Sequence, residues 1–150
     1  MGGNMIQTKG GFLVSQIRQI QGRIFERLLT ESEINDFNGA QGRILYVLWQ
    51  EDDLSIVEIA NRTGLAKTTL TSMLDRMEAQ GHIHRSFDEN DRRKIRICLT
   101  EKARKLEKKY QNVSEEMNQI FYRGFTDEEI RILDQGLEKV LQNLKGEQLT

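Results

Sequence analysis

Apolar residues in this chain recur mostly at steps of three and four, a rhythm that predicts helices. From residue 12 to about residue 29, Val14, Ile17, Ile20, Ile24, Phe25 and Leu28 share one helical face, which Gly22 interrupts. Residues 30–38 are polar and acidic, and residues 39–50 resume the helical pattern with Ile44, Leu45, Leu48 and Trp49. Ser55 and Glu58 stand at capping-box spacing and open a short helix that turns Ile56, Ile59 and Ala60 inward and stops at Gly64. A second helix over residues 67–79 follows almost at once, with Leu70, Met73, Leu74 and Met77 as its apolar stripe and Gly81 beyond its end.

The period then changes from helical to alternating. Residues 82–87 and 94–99 read as two strands around the polar tip DENDRR, so a hairpin is expected. The alternation places Ile83, Arg85, Ile97 and Leu99 toward the helices, and His82, His84 and Cys98 on the outer face. From residue 100 the helical steps return: Ala103, Leu106, Tyr110, Val113, Met117 and Ile120 form a seam that predicts one long helix. Thr126 and Glu129 make another capping box, and Ile130, Leu133, Leu137, Val140 and Leu144 repeat the spacing. With no proline in the chain, these helices can run unbroken, and the last two are expected to form an antiparallel hairpin. Together with the first helix they carry more apolar surface than one copy buries. A twofold homodimer with interlocked N- and C-terminal helices accounts for it, an intrachain bundle being the alternative.

Composition narrows the class. The chain of 150 residues suits one domain, with 37% hydrophobic and 30% charged residues, and no apolar run reaches the ~20 residues of a membrane span. Residues 1–9 read as a flexible leader without the apolar core of a secretory signal, so a cytoplasmic location is expected. A single cysteine, Cys98, excludes an intrachain disulfide and a zinc site of several thiolates. No cofactor or metal is expected, although His84 beside Cys98 leaves a thiol or metal switch as a minor reading. Two histidines and scattered carboxylates offer no catalytic constellation, so an enzyme is not expected.

Charge is segregated. Residues 54–109 hold 13 Lys or Arg against 8 Asp or Glu, whereas both flanking segments are acidic and the whole chain carries −1. A basic middle is the footprint of a surface that meets phosphates, or else a solvated helix face. It coincides with the order helix, turn, helix, wing. The outward face of the second of these helices carries Lys67, Thr68, Thr69, Thr71, Ser72 and Arg76, poor helix chemistry but suited to approaching base edges and phosphates. Arg92, Arg93 and Lys94 mark the hairpin tip, where arginines can enter a minor groove. Double-stranded DNA is therefore the expected partner; a protein-interaction or scaffold module is the alternative.

Over nearly its whole length the chain resembles the MarR family of winged helix-turn-helix transcription regulators. Asp91, Arg93, Ile97, Leu99 and Thr100 reproduce the wing pattern D-x-R-x-x-x-[IV]-x-L-T, Gly81, Ile83 and Arg85 match the segment before it, and Ile59, Ala60, Gly64, Leu65, Thr69, Thr71, Asp75, Arg76 and Glu78 fit the helix pair. The resemblance implies a mainly α fold with a small β wing, a reading head over residues 37–100 and a dimerisation region over residues 10–36 and 101–150. It implies a homodimeric, sequence-specific regulator on a pseudo-palindromic operator, commonly a repressor released by a small, often aromatic effector. Carried over residue by residue, Thr68, Thr69, Thr71, Ser72 and Arg76 face the major groove, Arg93 makes the wing's minor-groove or phosphate contact, and Asp91 orients it by a salt bridge. Ile17, Ile24, Met117, Ile120, Leu133, Leu137 and Val140 fall to dimerisation. Ile20, Phe37, Tyr46, Trp49 and Tyr110 are the effector-pocket candidates, with ordinary core packing as their alternative role. Two departures stand out: Ala66 occupies a position where the family often has a capping Ser, and Ser72 one where a longer cation is frequent.

Overall fold

The computed structural model describes residues 6–148, so residues 1–5 of the expected leader lie outside the described residues. The chain divides into two compact units, residues 1–114 and 115–150, each taken by itself below. Along the first run helices α1 (Gly10–Glu31) and α2 (Gly39–Gln50), strand β1 (Leu54–Ser55), helices α3 (Ile56–Thr63) and α4 (Lys67–Ala79), strands β2 (Ile83–Phe87) and β3 (Ile95–Leu99), and the one-turn helix α5 (Glu101–Arg104). Helix α6 (Glu107–Phe121) crosses the division, and α7 (Asp127–Gln148) lies in the second unit. Among the described residues no helix is long and apolar enough to cross a membrane.

Local chemistry explains the boundaries. Helix α2 starts with a capping box in which the Asn38 side chain accepts from the Gln41 amide while the Gln41 side chain accepts from the Asn38 amide. Ser55 and Glu58 make the same reciprocal pair at the start of α3. Gly64 ends α3 at φ 75°, a left-handed conformation that glycine adopts without a Cβ penalty. Helix α4 has no side-chain cap, because Ala66 has nothing to offer its free amides. It closes at Gly81, φ 83°, with His82 N donating to Met77 O at 2.9 Å.

These elements share one core. Ile44, Leu45, Leu48, Ile59, Leu70, Leu74, Met77 and Ile97 are all fully buried, and each such side chain contributes about 1.5–3 kcal/mol relative to exposure. Leu28, Leu29, Ile34 and Phe37 seal it from the α1 end and the loop that follows. Gly42 is required by packing: a Cβ there would lie 2.7 Å from the Tyr110 ring and 3.1 Å from that of Phe37.

Three expectations are corrected. The hairpin is part of a three-stranded antiparallel sheet of order β1-β3-β2, because Leu54 and Ser55 pair with Ile97 and Arg96. Second, His82 does not join the outer face; it is 1% exposed, and its Nε2 lies 2.7 Å from the Asp36 carbonyl oxygen, which fixes the loop before α2 to the end of α4. His84 and Cys98 do pair directly across the ladder. Third, the long helix expected from residue 100 is broken at Lys105 and Leu106, where Leu106 N turns to Ala103 O three residues back.

In the second unit, Thr126 and Glu129 cap α7 reciprocally, and the Tyr122 hydroxyl donates to Asp134. No residue of α7 is buried: Ile132, Leu137, Val140, Leu141 and Leu144 are exposed. The N-terminal half of α1 likewise exposes Phe12, Leu13, Val14, Ile17 and Ile20.

Candidate nucleic-acid interface

Helix α4 is held by one face and presents the other. Leu70, Leu74 and Met77, at steps of four and three, are fully buried, which turns Lys67, Thr68, Thr69, Thr71, Ser72 and Arg76 to solvent. The Thr71 hydroxyl donates to Lys67 O at 2.9 Å, satisfying itself within the helix and leaving its methyl and an acceptor lone pair outward. Thr68, Thr69, Ser72, Met73 and Arg76 form one wall of an open groove of about 500 Å³, whose other wall is Asn38, Ala40 and Gln41 at the start of α2.

The wing tip is built from two short side-chain turns. Asp88 Oδ1 accepts from Asn90 N at 2.8 Å, and Asp91 Oδ1 accepts from Arg93 N at 3.0 Å and from Arg93 Nε at 3.2 Å. The Arg93 side chain stays 92% exposed, so its outer nitrogens point away from the protein. Arg92 and Lys94 are exposed beside it. A cleft of about 510 Å³ brings Lys67 of α4, Arg93 and Lys94 of the tip, and Arg96 around one opening above Ile56, Val57 and Ile95. The start of α4 and the wing thus meet at one opening where four cations outnumber two acids, Glu58 and Asp88.

Donation from the Arg93 backbone, and then from its side chain, holds the Asp91 carboxyl below the usual carboxylate range. A depressed carboxyl stabilises the fold above its unfolded-state value, and that contribution disappears as pH falls through the folded-state value. Acidification below the ordinary aspartate range of ~3.9 is therefore expected to loosen the tip. A proton NMR titration should show the Arg93 amide moving with a midpoint below that of a free aspartate; a midpoint at or above it would remove the turn as the cause.

Three arrangements go beyond what the sequence pattern above predicts. Arg85 reaches from β2 back to α4, between Asp75 and Glu78. Arg96 is held by Asp53, whose side-chain oxygen is 3.1 Å from Nε. The capping box Asn38 to Gln41 has a legible N-x-x-Q signature.

Of the effector-pocket candidates, Phe37, Tyr46, Trp49 and Tyr110 come together. Tyr110 is central, with ring centroids 6.0 Å from Phe37, 6.1 Å from Tyr46 and 5.2 Å from Trp49, and Phe25 joins at 5.8 Å. The Trp49 indole donates to Ala103 O. Ile20 is exposed on α1 instead. Open volume lies to one side: a groove of about 400 Å³ lined by Arg18, Gln19, Gly22, Arg23, Phe25, Glu26, Gly39, Ala40 and Arg43. Among the dimerisation candidates, Ile17, Leu137 and Val140 are exposed, Ile24, Ile120 and Leu133 half-buried, and Met117 buried. The Cys98 thiol is pushed up by burial and by the hydrogen bond to Asp53, which disfavours a reactive thiolate.

Comparison with known proteins matches this geometry. The family model described as MarR family covers residues 37–95. The HTH-type transcriptional regulator TtmR of Methylorubrum extorquens (strain PA1) is 42% identical over 88 residues, 59% of this chain and 44% of TtmR. The uncharacterized HTH-type transcriptional regulator YsmB of Bacillus subtilis (strain 168) is 31% identical over 98 residues, 65% of this chain and 67% of YsmB. The match therefore spans less than half the length of the first of these relatives and about two thirds of the second. A crystal structure of a mutant MarR from E. coli complexed with operator DNA superposes with a TM-score of 0.77 at 26% identity, covering 87% of this chain and 92% of that one.

Proposed function

The chain belongs to the MarR family, and we propose that it is a homodimeric, sequence-specific double-stranded DNA-binding regulator of transcription, a repressor released by a small-molecule effector. The observation that carries this reading is the exposed polar face of α4, whose first residue Lys67 shares an opening with Arg93, Lys94 and Arg96 of the wing, while Leu70, Leu74 and Met77 are buried on the other side. Helix α4 enters a major groove, where Thr68, Thr69, Thr71, Ser72 and Arg76 meet base edges and phosphates. Arg93, aimed by Asp91, reaches the neighbouring minor groove, with Arg92 and Lys94 on the flanking backbone.

Residues 37–100 form the reading head, and residues 10–36 and 101–150 the dimerisation region. The exposed apolar faces of α1 and α7 support pairing, and a twofold pair reads half-sites about 10 bp apart on a pseudo-palindromic operator. The groove beside the aromatic cluster joins the edge of Phe25 to three arginines, which suits an aromatic acid as effector. The reading assigns no catalytic role and a cytoplasmic place of action.

Fluorescence anisotropy on duplex DNA across a salt series tests it. Phosphate-led binding loses affinity steeply with salt, by about 10³–10⁵ between 50 and 200 mM for six to ten phosphate contacts. In the same assay Arg93→Ala is expected to weaken binding, on different duplexes alike and with the salt slope lowered by about one if its contact is to phosphate; unchanged affinity would remove Arg93 from the interface. Salt-independent binding, or no binding, would leave the scaffold alternative.

A further inference from the structure

Arg85 lies on the face of β2 turned to the helices, paired with Ile97, yet its head group is neither free nor buried among apolar atoms. Its guanidinium forks between two carboxylates of α4: Nη2 donates to Asp75 Oδ1 at 2.7 Å and Nη1 to Glu78 Oε1 at 2.8 Å. The Arg85 backbone amide also donates to Glu78 Oε2 at 3.1 Å. The arginine side chain is 21% exposed, the two acids 66% and 43%. The cation is thus turned inward while the acids stay at the surface of the helix read here as entering DNA.

The charge of that helix makes the arrangement consequential. Helix α4 contains two cations, Lys67 and Arg76, and two acids, Asp75 and Glu78. By itself it is neutral, and its acids crowd the C-terminal half within the ~8–10 Å over which charges still act at ordinary salt. A neutral helix with unmasked carboxylates is a poor guest among phosphates. Because both carboxylates stay accessible, their charge acts on whatever this face of α4 meets.

We propose that Arg85 is a positioning residue of the nucleic-acid interface: by neutralising Asp75 and Glu78 and tying the wing to the last turns of α4, it lets an otherwise uncharged reading helix approach an anionic groove. This rests on the DNA-binding reading above. The arginine touches no DNA in this scheme; it acts through the two acids.

The test measures affinity for a mixed-sequence duplex long enough for two half-sites, at low salt. Arg85→Gln is expected to bind at least ~10-fold more weakly than the unaltered protein, since it leaves two like charges facing phosphates. Adding Asp75→Asn and Glu78→Gln to it should restore affinity to within ~3-fold, because the repulsion is gone even though the ties are too. Arg85→Lys should retain most of the affinity. Melting temperatures of all variants control for folding, and if Arg85→Gln fails to fold, Asp75→Asn/Glu78→Gln with Arg85 intact should bind more tightly than the unaltered protein. Unchanged affinity in Arg85→Gln, a triple variant no tighter than Arg85→Gln, or no gain in the double variant would each overturn the proposal while DNA binding stands. Failure of the unaltered protein to bind duplex DNA would overturn the functional reading and this inference together.

Discussion

Leu137→Glu is expected to turn the protein into a monomer and to weaken its binding to an operator by two orders of magnitude or more. Leu137 lies on α7 with Val140, Leu141 and Leu144, all substantially exposed, and α1 of the same chain exposes Phe12, Leu13, Val14, Ile17 and Ile20. Such continuous apolar faces mark interaction surfaces. Burying a Leu or Val contributes about 1.5–3 kcal/mol, and an unpaired carboxylate in its place adds a desolvation penalty of several kcal/mol. A twofold interface contains each substitution twice, so even ~2 kcal/mol per copy raises the dissociation constant of the dimer about a thousandfold. Loss of the pair then removes the second half-site contact, whose linkage is worth ~10²–10⁴ in avidity. Sedimentation velocity reads the first effect and anisotropy the second. A Leu137→Glu protein that still sediments as a dimer would place the interface elsewhere.

Much of the fold was legible because its determinants are local. Capping boxes at Ser55 and Thr126, glycine stops at Gly64 and Gly81, and the switch from helical to alternating spacing after Gly81 each act over a few residues, so a single sequence displays them. The same locality places six polar residues of α4 on one side, since burial of Leu70, Leu74 and Met77 leaves the opposite face no alternative. What was not legible depends on contacts distant in sequence. Strand β1 has two residues, too few for any period, and exists because Leu54 finds Ile97. His82 follows the strand alternation but belongs to the turn before it, and the Asp36 carbonyl draws its ring inward. The break at Lys105 and Leu106 is invisible to spacing because a single tight turn keeps Ala103, Tyr110 and Val113 in phase, all of them buried. Arg85 was visible as a matching residue, but its partners on α4 lie seven and ten positions away, across the turn from helix to strand. The aromatic residues were found as a set, whereas the open space beside them is lined by arginines that no aromatic pattern signals.

The proposed function puts stability and reading on opposite faces of one helix, and a pair of substitutions should separate them. Leu74→Ala removes a fully buried side chain from the inner face of α4, a helix that packs against α3 and β2. Such truncations cost about 2–5 kcal/mol, the transfer term plus the cavity left behind. That is a large share of the ~5–15 kcal/mol by which domains of this size are stable, and one kcal/mol shifts the melting temperature by ~2–4 °C at about 150 residues. A fall of roughly 5–20 °C is therefore expected, with DNA affinity near normal at temperatures where the variant remains folded. Thr69→Ala should do the reverse. Thr69 is exposed beside Thr68 and Ser72 on the α4 groove, so alanine there favours the helix by a few tenths of a kcal/mol and the melting temperature should hold or rise. Its loss should nevertheless weaken operator binding, by ~1–3 kcal/mol if Thr69 meets a base edge, and more on the operator than on unrelated duplex. Calorimetry and anisotropy on both variants give four values. Equal losses of stability in the two, or no loss of binding in Thr69→Ala, would mean that this face of α4 does not read DNA.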